Sequence, residues 1–275
     1  MGYCEGSHYN GPYVLKTIKE PLFLITTTPY RDSDIIVNLL SSKNGKLSAV
    51  IYNGRKIGKT SSFLYQPGDL LDVEYQVKES ADFVRIINIS GKSTLQAKDF
   101  TYKRFLFHSY LLEVISKISH PGNPSRELFE TLADNNRCSW TPSKTLFFMG
   151  CLIWKLVQSS GFSIDYHVCR SCHRQTWRAD DDKGAVFRKE NYRFHSNSEA
   201  MVCHTCIPIT DAQEIITPAM LKVIWILDNT VNNQTPSADI PDTVMADVIK
   251  CLNQYLLQRY EIRPKSLPLF INSLN

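Results

Sequence analysis

Apolar and polar positions follow two different periods along this chain, and the change falls after its first third. Leu22 to Thr28 is a run of apolar and β-branched residues that Pro29 should end, and Asp34 to Ser41 carries Ile35, Ile36, Val37, Leu39 and Leu40. Lys43-Asn44-Gly45-Lys46 is a turn signal, Leu47 to Tyr52 a third apolar run, and Asn53-Gly54 a further turn. Lys43 to Lys46 therefore joins two strands as a hairpin. After Pro67-Gly68-Asp69, the stretches Leu70–Val77 and Phe83–Ile89 alternate apolar with polar residues, the period of two that half-buried strands show. Five short strands separated by turns predict a small closed barrel, and the OB-fold is the common five-stranded solution.

The later chain takes the helical period. Asp99 reads as the cap of a segment with apolar residues from Phe100 to Ile118, stopped by Pro121-Gly122, and a shorter helix is expected from about Ser125 to Asn135. Thr141-Pro142 is an N-cap followed by proline at the first helical position, opening a helix that Gly161 closes; Thr217-Pro218 repeats the signal. A last helix is expected from about Pro241 to Tyr260, before Pro264. The aromatic residues on these faces read as core.

The expected fold class is thus α+β: an N-terminal five-stranded OB-fold β-barrel at residues 16–95, followed by an α-helical domain at 96–164 and 209–275. That domain is interrupted at 165–208 by a polar segment short of aliphatic residues. Residues 1–15 read as a disordered extension.

The interruption is where cysteine changes the picture. Cys169-Arg170-Ser171-Cys172 is followed, after thirty residues, by Cys203-His204-Thr205-Cys206. Two thiolates two residues apart grip a metal ion from one tight turn, and two such turns complete a tetrahedral Cys₄ site. The expectation is one structural Zn²⁺ in a zinc-ribbon-like insertion, with Ala185–Arg188 and Tyr192–His195 as its hairpin. Four thiolates leave no open position for water or substrate, so the site carries no catalysis. A zinc deaminase is excluded because Val202, not proline, precedes Cys203 and H-x-E is missing. The other four cysteines (Cys4, Cys138, Cys151 and Cys251) are scattered, against a secreted disulfide framework in a chain of 275 residues.

Charge adds less. A formal net charge of +4 permits a polyanion partner without requiring one. The start lacks a basic region followed by an apolar one, and the most apolar run, Leu146–Val157, is too short to span a bilayer. A soluble cytoplasmic protein with no membrane partner is expected. Gly54 to Thr60 imitates a phosphate loop, but Asn53 stands where the first glycine belongs, and Pro67 leaves no room for the helix that would receive a phosphate. No nucleotide is expected. The window reads instead as a basic loop: Lys43, Lys46, Arg55, Lys56 and Lys59, with Tyr30, Tyr52, Phe63 and Tyr65 near enough to stack on bases. A solvated loop without a partner fits these residues equally well. No nucleophile–base–acid constellation is present, His173 and His204 read as neighbours of the thiols, and no enzyme is expected.

Tyr30-Arg31-Asp32-Ser33-Asp34-Ile35-Ile36-Val37-Asn38-Leu39-Leu40, then Asn44-Gly45-Lys46-Leu47, then Tyr65-Gln66-Pro67-Gly68-Asp69, resemble the N-terminal domain of the RecO family of bacterial recombination-repair proteins. The helical region broken by paired cysteines and the closing Leu256-Leu257-Gln258-Arg259-Tyr260 continue the resemblance, which spans about residues 16–270. It implies a protein that binds single- and double-stranded DNA and anneals complementary strands without ATP. It also implies binding to the acidic C-terminal tail of single-stranded DNA-binding protein, pairing with RecR, and help in loading RecA, in the bacterial cytoplasm and on the nucleoid. Arg31, Lys43, Lys46, Arg55, Lys56 and Lys59 occupy the region of the family's DNA contacts. The loop after Tyr52 is less arginine-rich than is common there, so Lys103, Arg104, Arg170, Arg174 and Arg178 are further candidates. The alternative is a protein-interaction adaptor with a structural zinc site and little DNA binding.

Overall fold

Leu22 to Ile25 has four consecutive buried residues, a pattern that in a strand needs a core on each face. In the computed structural model it lies in β1 (Lys16–Tyr30), the middle strand of an antiparallel sheet. The structure describes residues 16–55, 65–77, 83–91, 101–137, 140–141, 144–159, 164–180, 184–194, 200–206, 215–230 and 239–274. Leu22 and Leu24 face the interior of the sheet with Val37, Leu39, Leu71 and Val73. Phe23 and Ile25 join Leu40 in the core of the helical part. β1 therefore serves both halves of the molecule.

β1 pairs with β4 (Leu70–Val77) through Lys16–Phe23 and with β2 (Asp34–Ser41) through Phe23–Tyr30. A register shift at Leu24/Thr26 marks the hand-over. Pro29 does not end the strand. Pro21 lies in the half that pairs with β4 and Pro29 in the half that pairs with β2, so each has an unpaired flank where a missing N–H costs no ladder bond.

With β3 (Gly45–Ile51) and β5 (Arg85–Gly91) the strand order is β3-β2-β1-β4-β5. Among the described residues the outer strands meet at one parallel bridge, Ala49–Val84, with Val84 N–H donating to Ser48 O at 2.9 Å. The closed barrel expected from the strand count is therefore not found. β5 explains why: it is mostly exposed, and only Ile86 and Ile89 pack on the interior, too little apolar surface to draw a full ladder shut.

The helical part begins with α1 (Tyr102–Ile118), capped by Thr101, whose hydroxyl accepts from Arg104 N–H; the expected cap, Asp99, lies outside the described residues. α2 (Arg126–Arg137) and α3 (Thr145–Ser159) follow, and α3 is buried on all sides from Leu146 to Trp154 because it packs against α2, α4 (Pro218–Asp228) and α5 (Asp242–Tyr260). Thr217 caps α4 with Pro218 behind it, as its sequence signal requires. Pro142 and Gly161 lie outside the described residues. A last short helix, α6 (Leu267–Asn272), had no periodic signal. Glu113 of α1 fixes it, accepting from Lys265 N–H at 2.7 Å, Ser266 N–H at 3.0 Å and Ser266 Oγ–H at 2.8 Å. Burial works against ionisation of Glu113, but these donors outweigh it and hold the carboxyl below its usual range. No helix among the described residues is long and apolar enough to cross a membrane.

Sheet and helices are joined along the β2–β3 turn. Gly122 N–H donates to Asn44 O, Lys46 N–H to His120 O and Lys46 Nζ to Ser116 O at 2.9 Å. At the centre is Gly45, with φ of +68°; a Cβ there would lie 2.2 Å from Asn123 O and 2.3 Å from His120 O. A buried polar plug sits beneath, where Tyr75 Oη, Ser41 Oγ and Asn44 Nδ2 all donate to Glu20 Oε1. A second junction runs through the Tyr65–Asp69 loop: Asn136 Nδ2 donates to Gly68 O at 3.1 Å, and buried His108 lies between Asn135 and the Pro67 carbonyl.

Two outcomes follow for stability. Gly45→Ala should cost about 3 kcal/mol in urea unfolding. Gly122→Ala, also at positive φ (+71°) but in open space, should cost only about 1 kcal/mol. Equal losses would contradict the close-packed seam. Burial, with help from the Arg104 charge, drives His108 down to about 4, so its neutral form belongs to the folded state. Its contribution is complete above about pH 6.5 and is lost as pH falls through about 4, on the order of 3 kcal/mol. His108→Gln should flatten that part of a stability–pH profile.

Candidate metal centre and nucleic-acid surface

Cys169 ends β6 (Asp165–Cys169) and Cys203 ends β10 (Ala200–Cys203), and these strands pair in parallel, setting Cys169 beside Met201. After each strand the backbone turns back within four residues. His173 N–H donates to Cys169 O at 2.8 Å, with His173 itself at φ +56°, and Cys206 N–H donates to Cys203 O at 3.1 Å. The two turns bring four thiols together: Cys169–Cys206 and Cys172–Cys203 are 3.9 Å apart, Cys203–Cys206 3.5 Å, and all lie within 4.8 Å of one another. A tetrahedral ion with metal–sulfur bonds of about 2.3 Å has edges of about 3.8 Å, so the four fit a metal ion. A disulfide needs about 2.05 Å, and all four are free thiols. Burial resists ionisation of Cys169, yet N–H groups of Cys203, Cys172 and Ser171 outweigh it and hold this thiol down at about 6. Sulfur–sulfur hydrogen bonds with Cys203 and Cys172 push Cys206 up to about 12. One thiolate forms readily; four together require a cation. His173 and His204 stand outside the cluster, as expected.

The hairpin around this centre differs from the one expected. β8 (Gly184–Phe187) pairs with β7 (Trp177–Asp180), and β9 (Tyr192–Phe194) pairs with β10. Residues 185–188 and 192–195 are therefore not partners, and His195 lies outside the described residues. Nor is the module a separate core-poor knob. Cys169, Tyr192, Met201, Val202 and Cys203 belong to the same buried core as the helices. Asp228, at the end of α4, accepts from Trp154 Nε1 at 3.0 Å and from Tyr166 Oη at 2.7 Å, tying α3 to β6. Trp177 and Phe187 pack edge-on against Trp225, and Phe194 packs at a tilt against Tyr255. Sequence reasoning missed Asp228 because a lone acid at a helix end carries no signal of its partners.

The basic candidates divide between the two ends of the sheet. Arg31, in the β1–β2 turn, and Arg55, just past β3, share one end, with Arg55 N–H donating to Ser33 O at 2.9 Å; both are exposed. Exposed Tyr30 and Tyr52 flank them. Lys43 is exposed in the β2–β3 turn at the opposite end. Lys46 is there too, but its ammonium is engaged by Ser116 O, and burial beside Lys117 lowers its pKa. Lys56, Lys59 and Phe63 lie outside the described residues. Tyr65 is half-buried against the sheet interior. Arg104 is buried, stacked on Trp140 and donating to Asn135 O, and so is not a surface contact. Arg170, Arg174 and Arg178 are exposed around the metal module.

Comparison with known proteins supplies what geometry alone does not. Residues 15–93 match the family model described as Recombination protein O N terminal. The chain is 22% identical to DNA repair protein RecO of Clostridium novyi (strain NT), covering 94% of this chain and 96% of that protein. It is 19% identical to DNA repair protein RecO of Alkaliphilus metalliredigens (strain QYMF), over 87% and 92%. It is 28% identical to DNA repair protein RecO of Syntrophus aciditrophicus (strain SB), over 42% and 45%. These matches support the RecO family. The RecO N-terminal match coincides with the five-stranded sheet, and the long alignments run through the helical part and its cysteine cluster.

The shared core makes metal removal diagnostic. Chelation under reducing conditions should lower the main cooperative melting transition by roughly 10 °C, about 3 kcal/mol for a chain of this size. Differential scanning calorimetry checks it; an unchanged main transition with a small separate early step would mean that the module folds apart from the helices.

Proposed function

We propose that this chain is a non-enzymatic DNA-binding mediator of recombination and repair. It binds single- and double-stranded DNA and anneals complementary strands without ATP, and its metal is one structural Zn²⁺. The observation that carries the reading is the exposed pairing of arginine and tyrosine at one end of the sheet, in a chain whose long-range relatives are named DNA repair protein RecO. Arginines at a fixed sheet end neutralise phosphates and release counterions, which lowers the repulsion that opposes strand pairing. Zinc follows from the donor set: four thiolates in a saturated tetrahedron suit a soft-tolerant ion without redox demands and leave no site for water.

Partners follow from chemistry of the same kind. A groove of about 1150 Å³ between α5 and α6 is lined by Leu257, Ile262, Leu267 and Ile271, with Lys250, Arg263 and one acid, Glu261, among its polar residues. An apolar floor with cations at its edge suits the acidic C-terminal tail of single-stranded DNA-binding protein. RecR, and through it RecA loading, completes the reading, in a bacterial cytoplasm with the protein on the nucleoid when DNA is bound.

Complementary oligonucleotides coated with single-stranded DNA-binding protein should anneal several-fold faster on adding this chain without ATP. Arg31→Glu with Arg55→Glu should abolish the acceleration. If the wild-type chain gives none, the mediator reading fails; if the double variant keeps full activity, the chain acts as an adaptor through its helical part.

A further inference from the structure

The register of the sheet places Tyr30 and Tyr52 in one row. Tyr30 of β1 pairs with Asp34 of β2. Ile51 of β3 pairs with Ile35, so Tyr52, one residue on, stands beside Asp34 on its other flank. Two neighbouring strand spacings separate the backbones of the two tyrosines, about 10 Å. Both rings are exposed, Tyr30 at 36% and Tyr52 at 70%. Stacked aromatic planes lie about 3.4 Å apart, so rings that rise parallel from backbones about 10 Å apart leave room for two bases between them.

This row is held rigidly. Asn53 N–H donates to the buried Asp34 carboxylate at 2.8 Å, Ser33 Oγ–H to Asn53 Oδ1 at 3.3 Å and Arg55 N–H to Ser33 O at 2.9 Å. These bonds clamp the β1–β2 turn to the exit of β3. Arg31 and Asn53 both adopt left-handed backbone, with φ of 48° and 56°, a conformation that non-glycine residues hold only when their surroundings impose it. In Arg31 it carries the guanidinium over the Tyr30 ring, 5.0 Å from its centroid. Among the described residues the charged groups at this end are Arg31, Arg55, the exposed Asp32 and the buried Asp34. Asp34 is occupied by Asn53, which leaves, among the described residues, two cations against one exposed acid.

The geometry points to a stacking bracket for unpaired bases: Tyr30 and Tyr52 sandwich two consecutive bases of a single strand while Arg31 and Arg55 hold the phosphates on either side. This deepens the DNA-binding reading above and rests on it, by assigning contacts made to single strands alone to two named rings. Paired bases cannot enter the bracket without unstacking, so the tyrosines act on single strands alone, whereas the arginines act on both forms.

Binding of the full-length, metal-replete protein to a fluorescent dT₁₅ oligonucleotide and to a 15-base-pair duplex, by anisotropy at fixed salt, separates these roles. Tyr52→Ala and Tyr30→Ala should each weaken dT₁₅ binding about five-fold or more, following roughly 1–3 kcal/mol per stacked base, and leave the duplex within two-fold. Tyr52→Phe should retain wild-type affinity, since the ring and not the hydroxyl stacks. Circular dichroism melting of each variant excludes unfolding, with Tyr52→Phe and Tyr52→His as second probes if an alanine variant melts early. Wild-type binding to both DNAs with no selective loss in the tyrosine variants overturns the bracket but leaves the DNA-binding reading standing. Absence of wild-type binding to either DNA overturns both.

Discussion

A close backbone contact at Gly45 decides how the rest of this molecule is arranged. The sheet and the helices have separate apolar interiors, and among the described residues the adjacent strands β1 and β2 place buried side chains in both, Phe23, Ile25 and Leu40 on the helical side. Their relative placement is fixed by the β2–β3 turn pressing on the α1–α2 connection. There a side chain would meet two carbonyl oxygens, and Lys46 uses both its N–H and its ammonium on the helix end. One end of the sheet is consumed as a joint. The opposite end, where Arg31, Tyr30, Tyr52 and Arg55 gather, is left to solvent. Surface available for a polyanion is thus a consequence of which turn the helices cover.

The cysteine centre acts by the same logic at the far side of the helical core. Cys169 and Cys203 are core residues, each 1% exposed. The sheet that carries them is tied to the helices through Tyr166, which meets Trp154 of α3 and Asp228 of α4, and through Phe194 of β9 against Tyr255 of α5. A metal ion there would cross-link the ends of two strands that are already part of the main core. Its contribution would therefore be to the cooperative stability of that shared core.

Much of this was legible in the sequence, and the limits have physical causes. The hairpin at Lys43–Lys46, the Thr217-Pro218 cap and the paired cysteines are local signals, where spacing alone carries the geometry. The failures are non-local. Pro29 looked like a strand end because the pattern does not reveal that β1 changes partners at Leu24/Thr26, which gives each proline an unpaired flank. Closure of the barrel depended on β5, whose alternation hid how little of it is buried. The grouping of Lys43, Lys46 and Arg55 into one basic loop followed chain proximity. β3 lies between them and carries Arg55 to the opposite end of the sheet. Arg104 and Asp228 show the converse: single charged residues whose partners come from distant elements and leave no trace in their neighbours.

The most direct test of the central claim, that this end of the sheet grips DNA through its arginines, is the salt dependence of single-strand binding. The logarithm of affinity should fall linearly with the logarithm of salt concentration. Arg31→Ala and Arg55→Ala should each flatten the slope by about 0.7, the value for one phosphate contact on a single strand, while Lys43→Ala at the opposite end leaves it unchanged. A slope insensitive to both arginines, or one altered equally by Lys43→Ala, would contradict the account.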